Sequence, residues 1–317
     1  MLTAKPDSSN HSRWAVLLLA HGAPERLGDI PQFLLNVRGG RGLPEKAVQE
    51  IIERYVRIGG SSPLLRITRL QAESLARVLG LPVYVGMRNW KPYIEQAVRK
   101  LAEDGADQVV AVCLAPQNSR TSTDLYRRHL AEAVEKVAPE LQVEFVENWH
   151  DHAGLIAAFC EKVSLAVAKA QAESGQPVPV IFTAHSVPVR TLAAGDPYES
   201  QVKETACLLA QAMGLSDYRV AFQSQGMTAE PWVGPTVESL IDEFAGQGVR
   251  KVVLAPVGFV SDHVEVLYDI DIAFREYGQQ KGVSVVRPES LNASPLFIQC
   301  LASIVSGRIE IAAGRSS

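Results

Sequence analysis

The amino-acid sequence predicts an internally duplicated α/β fold of two lobes, each with a parallel sheet flanked by helices. Short apolar, β-branched segments alternate with longer amphipathic segments along the whole chain, an order typical of βαβ units. The chain has 317 residues, which is longer than one small domain usually is. The segments VLLLAHGAP (16–24) and VIFTAHSVP (180–188) repeat one kind of strand end in the two halves. We therefore expect two lobes of similar topology.

Eight strands and four of the helices between them can be assigned from the pattern of apolar residues. The strands expected in the first half are WAVLLLA (14–20), LPVYVGM (81–87), QVVAVCLAP (108–116) and VEFVENW (143–149). Those expected in the second half are PVIFTA (179–184), YRVAFQS (218–224), KVVLAPVGF (251–259) and VSVVRP (283–288). Amphipathic helices are expected over residues 44–58, 91–105, 155–171 and 235–248.

We divide the chain into a flexible tail (1–12), a first lobe (13–150) and a second lobe (151–317), whose C-terminal helix can pack back on the first. The tail is polar and lacks the apolar core of a secretory signal. Each lobe has one expected strand that ends in Ala-His and one that ends in Leu-Ala-Pro. Because parallel α/β sheets bind ligands beyond the carboxyl ends of their strands, we expect the functional site in a cleft between the lobes.

Composition and charge exclude several classes of protein. The net charge of −4 and the isoelectric point near 6.0 argue against a nucleic-acid partner, because no basic stripe is present to neutralise phosphates. No apolar segment approaches the roughly 20 residues that cross a bilayer, so we expect a cytoplasmic protein without a transmembrane segment. The four cysteines form no CxxC pair, which predicts reduced thiols rather than a zinc or iron–sulfur site.

The segment GFVSDHVEVLYDIDIAFRE (258–276) is the strongest local signal for chemistry. Ser261 or Asp262 is the expected N-cap of a helix, and four carboxylates of that helix would fall within roughly 60° of one another. They are Asp262, Glu265, Asp269 and Glu276. Such a row, with no lysine among its members, would attract a hard or borderline cation. From the helix alone, a solvated acidic face explains the pattern equally well.

The presence of His185 favours a metal-binding or acid–base role for the acidic segment 258–276 over a solvated surface. It leaves the carboxyl end of an expected strand in the same lobe, so we expect it to face Glu265 across a short gap. One imidazole and one carboxylate form a weak, open metal site or an acid–base pair rather than a closed structural cage. The alternative for a lone histidine is a satisfied core or surface residue.

A basic and polar cluster in the first half suits an anionic ligand. Arg38, Arg41 and Arg54 surround a glycine- and serine-rich turn, and guanidinium groups match carboxylates in geometry. The segment QNSRTSTDLYRR (117–128) adds hydroxyls, Tyr126 and further arginines. These residues predict binding of a ligand with several carboxylates. Pairing of Arg54 with Glu50 on one helix is the alternative for part of the set.

These motifs resemble those of ferrochelatases, the enzymes that insert Fe²⁺ into a porphyrin to make haem. The resemblance covers nearly the whole chain, from about Val16 to Ile304. The segments that carry it are RYVRIGGSSPL, QAESLA, YVGMRNWKP, VVAVCLAPQNS, FTAHSVP, GDPYESQV, FQSQGMTAEPWVGPTVESL and APVGFVSDHVEVLYDID. The resemblance implies two Rossmann-like lobes, in the arrangement called the chelatase fold, with the porphyrin held in the cleft.

The resemblance also implies roles for individual residues. The paired metal-site residues of the family fall on His185 and Glu265, and an acidic ridge continues to Asp269. The next ridge position, usually acidic in the family, is Ala273 here, which interrupts the row of carboxylates before Glu276. The positions expected to contact the porphyrin are His21, Arg38, Arg54, Tyr55, Ser62 and Tyr126. The family often has a tyrosine or an apolar residue at the position of His21, so His21 is expected to line the pocket or to bind haem iron opposite His185.

The expected substrate is coproporphyrin III, which has four propionates. The connection from Pro24 to Arg54 is short and resembles that of the compact members that take this ring. Fe²⁺ is expected as a substrate, with no iron–sulfur cluster or other cofactor, in a monomer that releases a haem product. Three alternatives remain: a ferrochelatase for protoporphyrin IX, a chelatase for cobalt or nickel, and a non-catalytic haem or porphyrin carrier.

Overall fold

Two four-stranded parallel sheets form the centre of the computed structural model, which describes residues 13–226 and 230–315. The strands of the first sheet are β1 (Trp14–Ala20), β2 (Val83–Met87), β3 (Gln108–Cys113) and β4 (Gln142–Val146). Those of the second are β5 (Val180–His185), β6 (Tyr218–Gln223), β7 (Lys251–Pro256) and β8 (Ser284–Val286). The strand orders are β2-β1-β3-β4 and β6-β5-β7-β8. The predicted strands and the duplicated α/β fold are confirmed, whereas the predicted tail (1–12) lies outside the described residues.

The first-lobe helices are α1 (Ile30–Val37), α2 (Glu45–Arg57), α3 (Leu64–Leu79), α4 (Ile94–Glu103) and α5 (Thr123–Val137). They are followed by α6 (Ala153–Ser174), α7 (Val189–Ala193), α8 (Tyr198–Met213), α9 (Val237–Gly246), α10 (Val264–Leu267), α11 (Arg275–Gln280) and α12 (Pro295–Arg315). A short 3₁₀ turn (Leu27–Asp29) precedes α1, and a π-helix (Asp269–Phe274) lies between α10 and α11.

Alternating side chains of β1 enter two different layers of the core. Leu17 and Leu19 pack with α4 and α5 on one face of the sheet. Val16 and Leu18 face the other way, into a cluster that also contains residues of α6 and α12. Because both faces of the strand are covered, β1 is apolar along almost its whole length, as buried parallel strands are.

One apolar cluster joins the two lobes. It contains Leu18 and Val112 of the first sheet, Phe182 and Val253 of the second, and buried residues of α6 and α12. Helix α6 contacts β7 and α8, whereas α12 contacts α3, β3 and β4, and the two helices contact each other. The C-terminal helix therefore packs on the first lobe.

Helix α12 is the one described helix that is long and apolar enough to cross a membrane by length and composition alone. The sequence-based prediction that no apolar segment is long enough to cross a bilayer was therefore wrong, because α12 has the required length and hydropathy. About 39% of its most apolar stretch is buried. Phe297, Leu301 and Val305 are fully buried in the cluster shared with α6, and the Phe297 ring stacks on Trp149 at 6.0 Å between ring centroids. Apolar residues of α12 thus serve packing between the lobes.

The carboxyl end of β5 is packed tightly against the chain that follows β7. A Cβ atom on Gly258 would lie 2.7 Å from Ala184 Cβ and 2.9 Å from Ala184 Cα, which is closer than side-chain atoms tolerate. Ala184 precedes His185, the last residue of β5. The absence of a side chain at Gly258 therefore keeps β5 and the chain after β7 in register near His185.

We expect Gly258→Ala to lower the free energy of unfolding by about 1–3 kcal/mol, because overpacking forces the backbone apart. Urea denaturation measures this change. Gly246→Ala is the matched control, since no atom lies within 4 Å of a Cβ there. Equal stability of the two variants would contradict the close approach at Ala184.

Candidate functional site

The candidate site lies at the carboxyl ends of the strands, where side chains of both lobes come together. His21 follows β1 directly, and His185 is the last residue of β5. Glu265 is the second residue of α10, in the connection that follows β7. When protonated, His21 and His185 both lower the pKa of Glu265, so residues 244 and 80 positions away from Glu265 along the chain share its electrostatic environment.

Two imidazole rings face the two oxygens of one carboxylate. His185 Nε2 lies 3.7 Å from Glu265 Oε1, and His263 Nε2 lies 3.5 Å from Glu265 Oε2. Both separations are longer than a good hydrogen bond. The three side chains therefore surround a small space with two nitrogen and two oxygen donors.

The other nitrogen of each ring is held by a backbone carbonyl. His185 Nδ1 lies 2.5 Å from the Ser186 carbonyl oxygen, and His263 Nδ1 lies 3.0 Å from the Ser261 carbonyl oxygen. A carbonyl only accepts hydrogen bonds, so both Nδ1 atoms carry the proton. In a neutral ring the Nε2 lone pair then points toward Glu265, which is the arrangement of a histidine ready to bind a metal.

The electrostatics of the site favour an anionic Glu265. Burial alone would raise the pKa of Glu265, but the nearby His185 and His263 outweigh it and hold the pKa well below its usual range. Burial would lower the pKa of His263, and contact with Glu265 outweighs it in the opposite direction, so the pKa of His263 is raised. A fixed negative charge between two imidazoles attracts a cation.

A buried amide positions the backbone of Glu265. The side chain of Gln223, at the end of β6, donates a hydrogen bond of 3.2 Å to the Glu265 carbonyl. Its amide oxygen accepts a hydrogen bond of 2.8 Å from the buried Thr183 hydroxyl of β5. The Gln223 carbonyl also accepts the Ser186 backbone N–H at 2.7 Å. Gln223 thereby ties α10 to the strand end that carries His185.

The predicted row of four carboxylates is wrong, because the segment is not one regular α-helix. Its helix begins at Val264, with His263 in an extended conformation as the N-cap, not with Ser261 or Asp262 as predicted. From Asp269 to Phe274 the chain forms a π-helix, in which the Ala273 N–H bonds to the Tyr268 carbonyl. The wider turn rotates the later residues out of line.

The four acidic residues accordingly point to three different places. Asp262 accepts hydrogen bonds from a separate cluster, consisting of Arg287, Ser290 and Asn292. Glu276 is half exposed and pairs with Arg57 at the surface. Glu265 and Asp269 remain in the candidate site, where Ser224 donates a hydrogen bond to Asp269. Burial is the main cause that raises the pKa of Asp269.

Arg54 lies at the boundary between the acidic residues and the predicted porphyrin contacts. Its Nη1 is 3.8 Å from Asp269 Oδ1, and its guanidinium lies 5.2 Å from the centroid of the Tyr268 ring. The structure gives no ion pair with Glu50, the alternative considered from the sequence, among the described residues. Arg54 is half exposed and can turn toward an anionic ligand.

The remaining predicted contacts differ in accessibility. Arg38 is exposed, and its Nε donates to the Arg41 carbonyl at 3.2 Å. Ser62 is half-buried, and its hydroxyl oxygen accepts the Leu64 N–H at 3.3 Å. Tyr55 and Tyr126 are 2% and 4% exposed, so neither ring presents an open face in this state. Contact of these four residues with a porphyrin therefore remains a prediction.

His21 is exposed to solvent although protein groups crowd around it. Desolvation and the charge of Arg88 lower its pKa, so the ring is neutral at pH 7. Its backbone carbonyl accepts hydrogen bonds from Asn89, at 3.0 Å from the backbone and 3.2 Å from the side chain. The ring packs edge-on against Phe33 with 5.9 Å between centroids.

Sequence reasoning missed two residues, His263 and Arg88. His263 is two positions before Glu265, and an extended conformation at that point would have placed both side chains together. Arg88 follows β2, and its guanidinium lies 5.0 Å from the centroid of the Tyr126 ring. Its buried Nη1 has no hydrogen-bond partner among the described residues. Arg88 could have been found from the sequence because it directly follows a strand, as His21 does.

The family model and the similar curated proteins all point to the same protein family. A family model described as Ferrochelatase matches residues 13–309. A curated ferrochelatase of Acidobacterium capsulatum is 48% identical over 314 residues, which cover 94% of this chain and 95% of that protein. A coproporphyrin III ferrochelatase of a Geobacillus species is 37% identical over 308 residues, covering 94% and 99%.

Solved structures agree on the fold. The sirohydrochlorin chelatase SirB of Bacillus subtilis subspecies spizizenii, in complex with cobalt, aligns with a TM-score of 0.60 at 13% identity. The alignment covers 95% of this chain and 97% of that one. At this identity the likeness supports the chelatase fold alone. Together with the family match over nearly the whole sequence, it leads to one conclusion: the chain belongs to the ferrochelatase family.

Proposed function

We propose that this ferrochelatase acts on coproporphyrin III and inserts Fe²⁺ through His185 and Glu265, with His263 as a third metal-binding group. Membership of the family makes the chain an enzyme that inserts iron into a porphyrin. The observation that carries the proposed site is the pair of imidazole Nε2 atoms at 3.5 and 3.7 Å from one carboxylate. Neutral imidazoles and a carboxylate are suitable ligands for Fe²⁺.

The ligand set explains how iron is held without being trapped. Three side chains leave part of the coordination sphere of Fe²⁺ to water, as in open catalytic metal sites. His185 and Glu265 are each partly exposed, so a porphyrin can approach the ion from the solvent side. As the pyrrole nitrogens replace these ligands one by one, the iron passes into the ring.

The reaction also requires removal of two protons. Two pyrrole N–H groups lose their protons as Fe²⁺ enters, so one dication replaces two protons and the charge balances. His185 in its neutral form can accept one proton at Nε2 once that atom no longer binds the metal, and the second proton passes to solvent water on the exposed side of the site. Glu265 balances the charge of the resulting imidazolium, because its pKa is held below the usual range.

Binding energy from the propionates can distort the ring. A bent macrocycle directs a pyrrole lone pair out of its plane, and the strain is offset by contacts elsewhere on the substrate. Arg38 and Arg54 are accessible guanidinium groups of the first lobe, and the Arg88 guanidinium has an unpartnered nitrogen among the described residues. These three guanidinium groups suit a ring with several propionates. Relatives named as coproporphyrin III ferrochelatases, at 35–37% identity, support the same substrate.

Glu265→Gln should abolish iron insertion while porphyrin affinity stays within severalfold of the original. The amide keeps the size of the side chain but removes the charge that holds the metal, a change we expect to cost about 10²-fold or more in kcat. Anaerobic insertion kinetics and porphyrin fluorescence titration measure the two effects. Unchanged turnover in Glu265→Gln would refute the mechanism, and loss of porphyrin binding alone would instead indicate a ring contact.

Asp269→Asn should raise the KM for Fe²⁺ severalfold, whereas Glu276→Gln should change it by less than about twofold. Asp269 adds negative charge next to Glu265 in a partly desolvated site, but the Glu276 carboxylate is half exposed and paired with Arg57, so its effect is screened. Steady-state kinetics at fixed porphyrin concentration compare the variants. Equal increases in KM for the two variants would indicate that Asp269 and Glu276 act together on the metal, as the predicted row of carboxylates implied.

Coproporphyrin III should exceed protoporphyrin IX in kcat/KM by about tenfold or more. Protoporphyrin IX lacks two of the four propionates, and a charge-assisted hydrogen bond contributes about 1.5–3 kcal/mol. Parallel assays with Fe²⁺, Co²⁺ and Zn²⁺ test the ring and the metal together. A preference for protoporphyrin IX would overturn the substrate proposal, and binding of both rings without insertion of any metal would identify a carrier.

A further inference from the structure

A second group of metal-ligating side chains lies where the two lobes join. His150 and Asp151 are in the connection between β4 and α6, and Glu204 is on α8 of the second lobe. One ligand atom from each residue lies within 4.8 Å of the other two. We call these three residues the junction cluster. None of them belongs to the site around Glu265.

The histidine of the junction cluster is fixed and directed at a carboxylate. His150 is 6% exposed, and its Nε2 lies 2.9 Å from Glu204 Oε2. Its other ring nitrogen, Nδ1, is buried without a hydrogen-bond partner among the described residues. The ring is therefore not committed to structural hydrogen bonds at both nitrogens. Since burial has already removed its side-chain freedom, little entropy is lost when it binds an ion.

Neither carboxylate of the cluster forms an ion pair with a lysine or an arginine in the part of the chain that the structure describes. Among the described residues, the only ion pair of Glu204 is with His150, and Asp151 has none. Lys203, the neighbour of Glu204 on α8, pairs with Glu199 instead. Two adjacent carboxylates repel each other unless a proton or a cation lies between them. Asp151 is exposed and the Glu204 side chain is half exposed, so both can move the short distance to a shared ion.

We propose that the junction cluster binds one divalent transition-metal ion, of the Zn²⁺, Co²⁺ or Fe²⁺ class, through one imidazole nitrogen and two carboxylate oxygens. This mixture of nitrogen and oxygen ligands suits borderline cations rather than Ca²⁺ or Mg²⁺, which prefer oxygen alone. Three protein ligands leave further positions to water. The site is independent of the proposed substrate and mechanism.

An ion at the junction cluster would connect the two lobes. The hydroxyl of Thr205, next to Glu204, donates to the His150 carbonyl at 3.0 Å. The buried Gln117 side chain, which follows β3, donates to the Thr205 hydroxyl at 3.2 Å and to the Val257 carbonyl at 3.3 Å. A metal bridge from His150 to Glu204 therefore strengthens an existing contact between the lobes, and it raises the stability of the folded protein.

Metal titration in a variant without the substrate-metal site tests the proposal. The double variant His185→Ala/Glu265→Gln should still bind one equivalent of Zn²⁺ or Co²⁺ by isothermal titration calorimetry, with a rise in melting temperature. Adding Glu204→Gln or Asp151→Asn should weaken that binding by about tenfold or more, since even second-layer changes around metals cost about 10–100-fold. Glu199→Gln, on the same helix and paired with Lys203, is the matched control and should leave binding unchanged.

Wild-type protein provides a second measurement that does not depend on the folding of the double variant. Glu204→Gln as a single substitution should reduce the Zn²⁺ stoichiometry of porphyrin-free protein by one equivalent. The proposal is overturned if the folded double variant binds no metal, or if Glu204→Gln and Asp151→Asn bind as tightly as their parent. Because the readout is binding in protein without His185 and Glu265, failure here leaves the proposed function standing.

Discussion

The contact between Glu265 and two imidazole rings is the constraint on which the rest of the site depends. A carboxylate at this position is partly desolvated, and the neighbouring His185 and His263 offset that cost and keep it anionic. Each ring is in turn oriented by a backbone carbonyl at Nδ1. The Gln223 amide fixes the backbone of Glu265 relative to β5. Strand ends, a loop and a short helix thus act together to hold one negative charge toward solvent.

The duplicated fold supplies two equivalent strand ends and gives them different chemistry. His21 and His185 both follow an apolar central strand, β1 and β5, in sheets of the same strand order. Only the second lobe adds Glu265 after β7, so the imidazole of His185 has a carboxylate partner. In the first lobe His21 lies beside Asn89, Phe33 and the Arg88 charge. The two histidines therefore occupy different environments despite their equivalent positions in the fold.

The central strands β1, β3, β5 and β7 were predictable from sequence because they are buried almost throughout and are therefore rich in apolar residues. Asp262 was misplaced because the helix begins only at Val264, and Glu276 because a constant 100° per residue does not hold across the π-helix from Asp269 to Phe274. Propensity and periodicity do not report such a turn, since it depends on packing of the surrounding residues. His263 was missed for a related reason, as its extended backbone turns it toward Glu265. The length of α12 was missed because isolated polar residues divide its apolar stretch.

Anomalous X-ray scattering from crystals soaked in Co²⁺ without porphyrin tests whether Glu265 and its neighbouring imidazoles bind the metal. We expect a cobalt peak in contact with Glu265, about 2.0–2.2 Å from His185 Nε2 and from one carboxylate oxygen. His263 Nε2 should lie close enough to bind the same ion or a water molecule on it. Cobalt bound at other places, with none in contact with Glu265, would show that this carboxylate does not hold the metal.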